Sequence, residues 1–219
     1  MHFESNHIYH IFNQGNNRQK IFFSKENYLF FLKKVHTHIK PFADILAWCL
    51  MPNHFHLMIF VRETNLEVID NTGQTTSSRQ TSLTDKNTSM ADENISEKLT
   101  RSLAVMLSSY TRALNKQQSL SGSLFRQKTK ALCLTRIDKV SKAWYVSNGI
   151  VNINLQIPEK QYPNVCFNYI LFNPVKSGIV KRNEDWEFSS FPDTIGFREG
   201  KLISRERIEE LGLRVLVDP

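Results

Sequence analysis

The sequence predicts an α+β fold in which helices cover one face of an antiparallel sheet. Three observations predict it. Strand-like and helix-like segments follow in the order strand, helix, strand, strand, helix, strand. Each long helical pattern has one apolar face, and a tight link joins the second and third strands. This order is that of the ferredoxin-like (RRM-like) fold, and 219 residues suffice for one such domain with an insertion.

The first predicted strand covers residues 7–12, where β-branched and aromatic side chains precede a turn rich in Asn and Gly. Arg18 and Lys20 leave that turn positively charged. The first helix begins at the N-cap Ser24, carries apolar residues at helical spacing, and is stopped by Pro41.

Two strands are predicted next, joined as a hairpin. Residues 45–50 form a nearly continuous apolar run, and 51–53 make a tight link to a strand that starts near His54. Because side chains alternate along a strand, His54 and His56 share a face, roughly 6–7 Å apart. Such a pair can bind one metal ion, although taken alone it is more typical of a polar, solvated face.

A flexible insertion is predicted for residues 64–95. Its main part, 70–94, is rich in Thr, Ser, Gln and Asn and has almost no large apolar residue, so it cannot offset its ordering entropy. The second long helix is predicted from Ser96 to about Gln118, with its polar face carrying Arg112 and Lys116.

A basic stripe follows in the fourth predicted strand. Arg126, Lys128 and Lys130 recur at period two and therefore share one face. The stripe could protect a solvated edge from aggregation or form a track for phosphates. The net charge of +7, from 28 Lys and Arg against 21 Asp and Glu, supports a polyanionic partner such as nucleic acid.

The last part of the chain is less regular. Residues 151–157 alternate like a strand that has no obvious place in the sheet. A third helix is predicted near 162–172, ended or bent at Asn173-Pro174. We expect 186–191 to pack against the core and 204–211 to form a short charged helix.

The remaining features concern the class of protein. Cys49, Cys133 and Cys166 lie in apolar runs without CxxC spacing, which predicts buried free thiols. No secretory signal or membrane-spanning run is present, so a soluble cytoplasmic protein is expected. P-loop, GxGxxG and HExxH patterns are absent, which argues against nucleotide or zincin chemistry. We interpret 1–219 as one domain with a C-terminal extension at 192–219.

Three segments together resemble a known family. They are 47–56 (AWCLMPNHFH), 168–178 (NYILFNPVKSG) and 186–190 (WEFSS). Their combination is similar to the single-tyrosine HUH transposases of the IS200/IS605 type, and most of all to the REP-associated tyrosine transposase branch. The resemblance covers about 8–191, apart from the insertion and 137–156. His-Phe-His alone is weak evidence, but with Met-Pro-Asn before it and Tyr-x-x-x-Asn-Pro-Val after it the match is fairly specific.

The resemblance implies that His54 and His56 bind Mg²⁺ or Mn²⁺ and that Tyr169 is the nucleophile. Asn173 lies one helical turn after Tyr169, about 6 Å along the axis and on the same face, where it could complete the metal shell. The implied function is a metal-dependent endonuclease and strand transferase that cleaves single-stranded DNA near hairpins through a 5′-phosphotyrosine. The residues expected to contact phosphates are Arg112, Lys116, Arg126, Lys128 and Lys130.

Plainer readings remain open. Tyr169 could cap the core with a solvated hydroxyl, and Asn173 could be an ordinary helix end. Tyr110, the competing tyrosine, lies on an apolar helical stripe and is assigned to packing. A binding protein for hairpin DNA that no longer cuts, or a phosphodiesterase that uses water, would keep many of the same residues. A homodimer is compatible with the sequence, and a membrane partner is not expected.

Overall fold

A four-stranded antiparallel sheet organises this protein in a computed structural model that describes residues 1–63, 85–135, 144–147, 150–153 and 158–216. The strands are β1 (Ile8–Gln14), β2 (Ala43–Met51), β3 (His54–Val61), β4 (Lys130–Cys133), β5 (Trp144–Ser147) and β6 (Ile150–Ile153). The helices are α1 (Lys25–His38), α2 (Asp85–Gln118), α3 (Pro158–Lys176), α4 (Phe191–Thr194) and α5 (Arg205–Glu210).

The strand order is β2-β3-β1-β4, with every neighbouring pair antiparallel. This order and the helix connections are those of the ferredoxin-like fold, so the predicted fold class is confirmed. In the register of β1 against β3, Phe12 lies opposite His56 and Gln14 lies opposite His54. On the other side of β1, Lys130 lies opposite Phe12. The predicted histidine pair therefore lies on an inner strand of the sheet, at the end where β3 begins.

Helices α1 and α2 cover one face of the sheet, as predicted. The Phe31 ring of α1 lies 5.0 Å from the Phe55 ring of β3. The Tyr110 ring of α2 lies 5.1 Å from that of Phe31. Aromatic contacts of this kind add to the burial of apolar surface that holds the two layers together.

Helix α3 lies on the opposite face, which the predicted arrangement left uncovered. Its Tyr169 packs against His56, which points away from the face that Phe55 shares with α1. This placement buries β3 along nearly its entire length. The nearly continuous apolar composition of β2 and β3 is explained by burial on both faces.

Helix α3 continues past Asn173-Pro174, where the sequence predicts an end or a bend, and stops at Lys176. A proline removes one backbone donor, but the helix closes just beyond it. The Ser177 N–H donates to the Asn173 carbonyl at 2.9 Å, and Gly178 takes the left-handed conformation with φ of +69°. The consequence is that Asn173 lies inside a helix rather than at its terminus.

Helix α2 begins at Asp85, so the predicted start at Ser96 is wrong. The polar composition before Ser96 favours disorder, but a helix whose later part is stabilised by an apolar stripe can extend back through polar residues. Residues 64–84 lie outside the described residues, and the flexible insertion there stays a prediction. The sequence also predicts a strand at 151–157 that has no obvious place in the sheet. Residues 151–153 belong to β6, which pairs with β5, and 154–157 lie outside the described residues.

The segment containing Trp186 and Ser190 extends the sheet at the free edge of β2. The Leu50 N–H donates to the Phe188 carbonyl at 2.9 Å, and the Ser190 N–H donates to the Trp48 carbonyl at 2.8 Å. The Trp186 indole N–H donates to the Leu50 carbonyl at 3.1 Å. The predicted packing of this segment is confirmed, and it protects an edge that would otherwise expose unpaired backbone groups.

The cysteines and the helices also bear on the class of protein. Cys49, Cys133 and Cys166 are free thiols as predicted, although Cys133 is only partly buried. Within the described ranges, no helix combines the length and the apolar composition that a membrane span requires.

Candidate metal and nucleophile site

The two histidines of β3 form a close pair on the face that α3 covers. Their ring centroids lie 5.0 Å apart. His56 is only 5% exposed, and His54 is partly buried. The predicted shared face is therefore correct. The alternative of a solvated polar face is wrong for His56, because α3 and the neighbouring strand enclose it.

The Nδ1 atom of each imidazole is occupied by a neighbouring side chain. His56 Nδ1 lies 2.9 Å from His10 Nε2, and His54 Nδ1 lies 2.6 Å from Asn53 Oδ1. His56 Nε2 is buried and has no hydrogen-bond partner among the described residues. A buried polar atom without a partner is costly unless a ligand satisfies it. Metal-binding histidines show this arrangement, with one nitrogen oriented by a neighbour and the other free to coordinate.

The surroundings of the histidines favour their neutral forms. Burial lowers the pKa of His56 well below its ordinary value, and the neighbouring His10 and His54 lower it further. Burial also lowers the pKa of His54, although a hydrogen bond with Asn173 acts in the opposite direction. Burial lowers the pKa of His10 to about 4. Neutral imidazoles keep the lone pairs that metal coordination requires.

Asn173 is brought to this pair by α3. Its side chain is 6% exposed, lies close enough to His54 to affect the pKa of that imidazole, and accepts a hydrogen bond from Ser177 Oγ at 3.4 Å. In the described part of the chain, no group of three or more His, Cys, Asp and Glu side chains could hold a metal ion. The amide oxygen of Asn173 is of a type that could join the two imidazoles as a third protein ligand. Two imidazoles and an amide oxygen leave coordination positions open, which suits Mg²⁺ or Mn²⁺.

Tyr169 lies one helical turn before Asn173 and faces the same histidines. Its ring is 5.4 Å from that of His56 and 6.2 Å from that of His10. The side chain is 41% exposed, and its hydroxyl has no hydrogen-bond partner among the described residues. A hydroxyl that is accessible and unengaged is available to react with a substrate.

Tyr110 is in the opposite situation. It is buried where α2 packs against α1, and its hydroxyl donates to the Ile21 carbonyl at 2.6 Å. Burial raises the pKa of this hydroxyl. These contacts explain Tyr110 as a packing residue, in agreement with the sequence-based assignment.

A cavity of about 190 Å³ opens beside the histidines, and we name it the histidine cavity. No Asp or Glu is among the residues that line it, and its three cations form no ion pair with a described residue. It is lined by Phe12, Asn13, Gln14, His54, His56, Arg126, Lys128, Lys130 and Tyr169. The pocket is therefore positively charged on one wall and carries the nucleophile candidate on another.

The predicted basic residues are divided between two places. Arg126, Lys128 and Lys130 all line the histidine cavity, although the strand there begins only at Lys130. Arg126 is held beside β1 because its N–H donates to the Gln14 carbonyl at 2.9 Å. Arg112 and Lys116 are exposed on α2, on the opposite face of the sheet, and do not line the cavity.

Two residues of the site were not found from the sequence. The sequence places His10 in a strand and Asn53 in a tight link, and assigns neither of them to the site. The one signal for His10 is its position two residues from Phe12, which places both on one face of β1. Its contact with His56 depends on the register between two strands far apart in the chain, which no local pattern specifies.

Comparison with known proteins gives one distant structural match. No family model matches the chain, and no curated protein matches it. A similar solved structure is a REP-associated tyrosine transposase bound to a REP hairpin, at 16% sequence identity. The match covers 90% of this chain and 82% of that one, with a TM-score of 0.48. That protein is of the kind that the sequence motifs resemble, but a likeness this distant does not assign an activity.

Proposed function

We propose that this protein is a transposase-like, metal-dependent endonuclease and strand transferase that cleaves single-stranded DNA near hairpins. The observation that carries the proposal is the meeting of Tyr169 with His56, ring to ring at 5.4 Å, in one positively charged cavity. The two residues are far apart in the sequence and come from a strand and a helix. The preference for hairpins rests on the resemblance of the motifs.

The proposed role of the cavity wall is to bind the DNA backbone. Arg126, Lys128 and Lys130 would contact phosphates around the scissile bond, because unpaired cations lower the free energy of a bound polyanion. Such contacts position the strand without reading its sequence. Lys130 also lies 5.8 Å from the centre of the Phe12 ring, so an aromatic surface accompanies the charge.

The proposed metal ligands are His54, His56 and Asn173. The unsatisfied Nε2 of His56 supports this assignment, because a divalent ion would satisfy it. When bound, Mg²⁺ or Mn²⁺ supplies a Lewis acid that neutralises charge on the non-bridging oxygens of the scissile phosphate. His10 and Asn53 would keep the two rings oriented toward the phosphate through their Nδ1 atoms.

The proposed reaction is a phosphoryl transfer to Tyr169. Its hydroxyl oxygen forms a bond to phosphorus while the bond from phosphorus to the 3′ oxygen breaks. The electron pair of the broken bond stays on the 3′ oxygen, which gains a proton as the tyrosine hydroxyl loses one. The products are a 5′-phosphotyrosine and a free 3′-hydroxyl. Attack by a 3′-hydroxyl on the phosphotyrosine reverses the step without ATP.

A nicking assay tests this proposal. Labelled single-stranded DNA with a hairpin and flanking sequence is incubated with protein and Mg²⁺ or Mn²⁺, and covalent adducts are separated under denaturing conditions. We expect an adduct with the natural protein and none with Tyr169→Phe. Tyr162→Phe is the matched control, because Tyr162 is also an exposed tyrosine of α3 but lies outside the cavity.

Other outcomes would decide against the proposal. An adduct that persists in Tyr169→Phe would exclude this nucleophile. Cleavage without any adduct would favour a phosphodiesterase that uses water. Hairpin binding without cleavage, on substrates that include the DNA flanking the gene, would favour a catalytically inactive binding protein with the transposase fold.

A further inference from the structure

A second cavity adjoins the histidine cavity, and we name it the loop cavity. Its volume is about 680 Å³, in the range of sites that hold small ligands. Gln14, His54 and Arg126 line both cavities, so together they form one groove that passes His54. The loop cavity is lined by Gln14, Arg18, Lys20, Met51, Pro52, Asn53, His54, Arg126, Ser177 and Ile179.

The loop cavity is cationic. Arg18 and Lys20 are exposed, and neither forms an ion pair with a described residue. Elsewhere on the surface basic side chains do find partners, as Lys25 does with Glu187 at 2.6 Å. No Asp or Glu is among the lining residues. The groove therefore presents unneutralised positive charge on both sides of His54, which favours an extended polyanion over a single anion.

The loop that carries Arg18 is held in an unusual conformation. Arg18 has φ of +59°, in the left-handed region that residues other than glycine seldom adopt. The Asn53 amide Nδ2 donates to the Arg18 carbonyl at 3.3 Å, and the Ile21 N–H donates to the Pro52 carbonyl at 2.8 Å. Backbone held in such a region marks a position whose geometry the surrounding structure imposes.

The same loop is fixed on its other side and at its base. The Asn16 N–H and the Gln19 side chain both donate to the Leu124 carbonyl, at 2.9 and 3.2 Å. At Gly15, a Cβ atom would lie 2.2 Å from the Gln19 carbonyl oxygen, so only glycine allows the chain to turn so tightly. The cations of the loop are therefore placed on an ordered support.

Asn53 connects this loop to the histidine pair. Its Oδ1 holds His54 Nδ1 at 2.6 Å, while its Nδ2 holds the Arg18 carbonyl. One side chain thus fixes both the imidazole and the cationic loop. A DNA strand bound by the loop would therefore be held in a fixed position relative to the phosphate at the histidines.

We propose that the loop cavity is a second DNA-binding limb, in which Arg18 and Lys20 bind phosphates of the strand that continues past His54. Lys128 and Lys130 bind the strand on the other side of the scissile phosphate. This inference rests on the proposed function, since it extends the path of the same DNA. Tyr169 lines one cavity and Ser177, just past the end of α3, lines the other. Eight residues of helix span about 12 Å, the length of about three stacked nucleotides.

The test measures binding of a fluorescent oligothymidylate, long enough to span both cavities, over a series of NaCl concentrations without divalent metal. Arg18→Gln/Lys20→Gln removes the two loop cations. We expect weaker binding and a salt dependence flatter by about 1.4, at about 0.7 per lost contact with a single strand. Lys33→Gln/Lys98→Gln is the control: it removes the same charge from exposed positions of α1 and α2, outside both cavities.

The result separates this inference from the function on which it rests. If Arg126→Gln/Lys130→Gln weakens binding but the loop variant does not, the loop cavity is not a DNA limb and the proposed function stands. If the control weakens binding as much as the loop variant, net charge explains the effect and the inference is wrong. If the natural protein does not bind the oligothymidylate or hairpin DNA, both proposals fail. Lys20→Gln alone repeats the test without altering the left-handed residue.

Discussion

His10 Nε2 lies 2.9 Å from His56 Nδ1, so one buried histidine orients another. If His56 coordinates through Nε2, its Nδ1 must donate this hydrogen bond and His10 must accept it. We predict that His10→Ala lowers Mn²⁺ affinity by about 10- to 100-fold, the usual effect of losing a residue that orients a ligand. Calorimetric titration of metal-free protein with Mn²⁺ measures it.

Two controls accompany the His10 prediction. His10→Gln can still accept a hydrogen bond, and we expect it to recover part of the affinity. His36→Ala removes an exposed histidine of α1 and should leave Mn²⁺ binding unchanged. The melting temperature of each variant without metal separates lost binding from lost folding. Equal Mn²⁺ affinity in His10→Ala and the natural protein would show that His10 does not orient a metal ligand.

Two substitutions of Asn173 should change the affinity for Mn²⁺ in opposite directions. Asn173→Ala removes the amide oxygen, so Mn²⁺ affinity should fall. Asn173→Asp has nearly the same shape but supplies a carboxylate, which hard divalent ions prefer, so affinity should rise. Without metal, the added negative charge should weaken binding of single-stranded DNA. Titration with Mn²⁺ and fluorescence anisotropy with DNA measure the two effects. Unchanged Mn²⁺ affinity in both variants would exclude Asn173 as a ligand.

The site shows which relationships a sequence can predict. The shared face of His54 and His56 and that of Tyr169 and Asn173 follow from the strand and helix periods, which are local properties. The contact of His10 with His56 depends instead on strand register. The meeting of helix and strand was inferred only through the resemblance of motifs, because periodicity does not say which face of a sheet a third helix covers.

Helix boundaries were less predictable for a related reason. The early start of α2 and the passage of α3 through Pro174 both go against local composition. Tertiary packing of a helix can outweigh a local preference against it. In α2 the apolar stripe outweighs the polar composition of the first turns, and in α3 the packed face outweighs the proline. Such tertiary effects cannot be read from the residues near the boundary.

Substitution of Tyr110 should lower stability without affecting DNA cleavage, and substitution of Tyr169 should do the reverse. Tyr110→Phe leaves the buried Ile21 carbonyl without its hydroxyl donor, so we expect the free energy of unfolding to fall by about 1–3 kcal/mol. DNA cleavage should remain. Tyr169→Phe removes an exposed hydroxyl with no described partner and should change stability by less than about 0.5 kcal/mol while abolishing the adduct. Urea unfolding and the nicking assay measure both.

The face of the sheet on which a basic residue lies predicts how much it contributes to DNA binding. All five of the cations predicted from the sequence were expected to contact phosphates, but only Arg126, Lys128 and Lys130 line the histidine cavity. We predict that Arg126→Gln/Lys130→Gln weakens binding of single-stranded DNA and flattens its salt dependence by about 1.4. Arg112→Gln/Lys116→Gln removes the same charge from the opposite face and should change both much less, as measured by anisotropy.

A larger effect from Arg112→Gln/Lys116→Gln than from the cavity variant would contradict this ranking. Such a result would mean that DNA contacts α2 directly. Long-range attraction alone could not explain it, because this attraction acts similarly from both faces and is screened beyond about 8–10 Å at physiological salt. Repeating the measurement with a hairpin distinguishes the two cases. If α2 contacts only the duplex stem, Arg112→Gln/Lys116→Gln should lose affinity for the hairpin but not for an unstructured strand. That result would assign α2 to the stem and the cavity to the strand being cut.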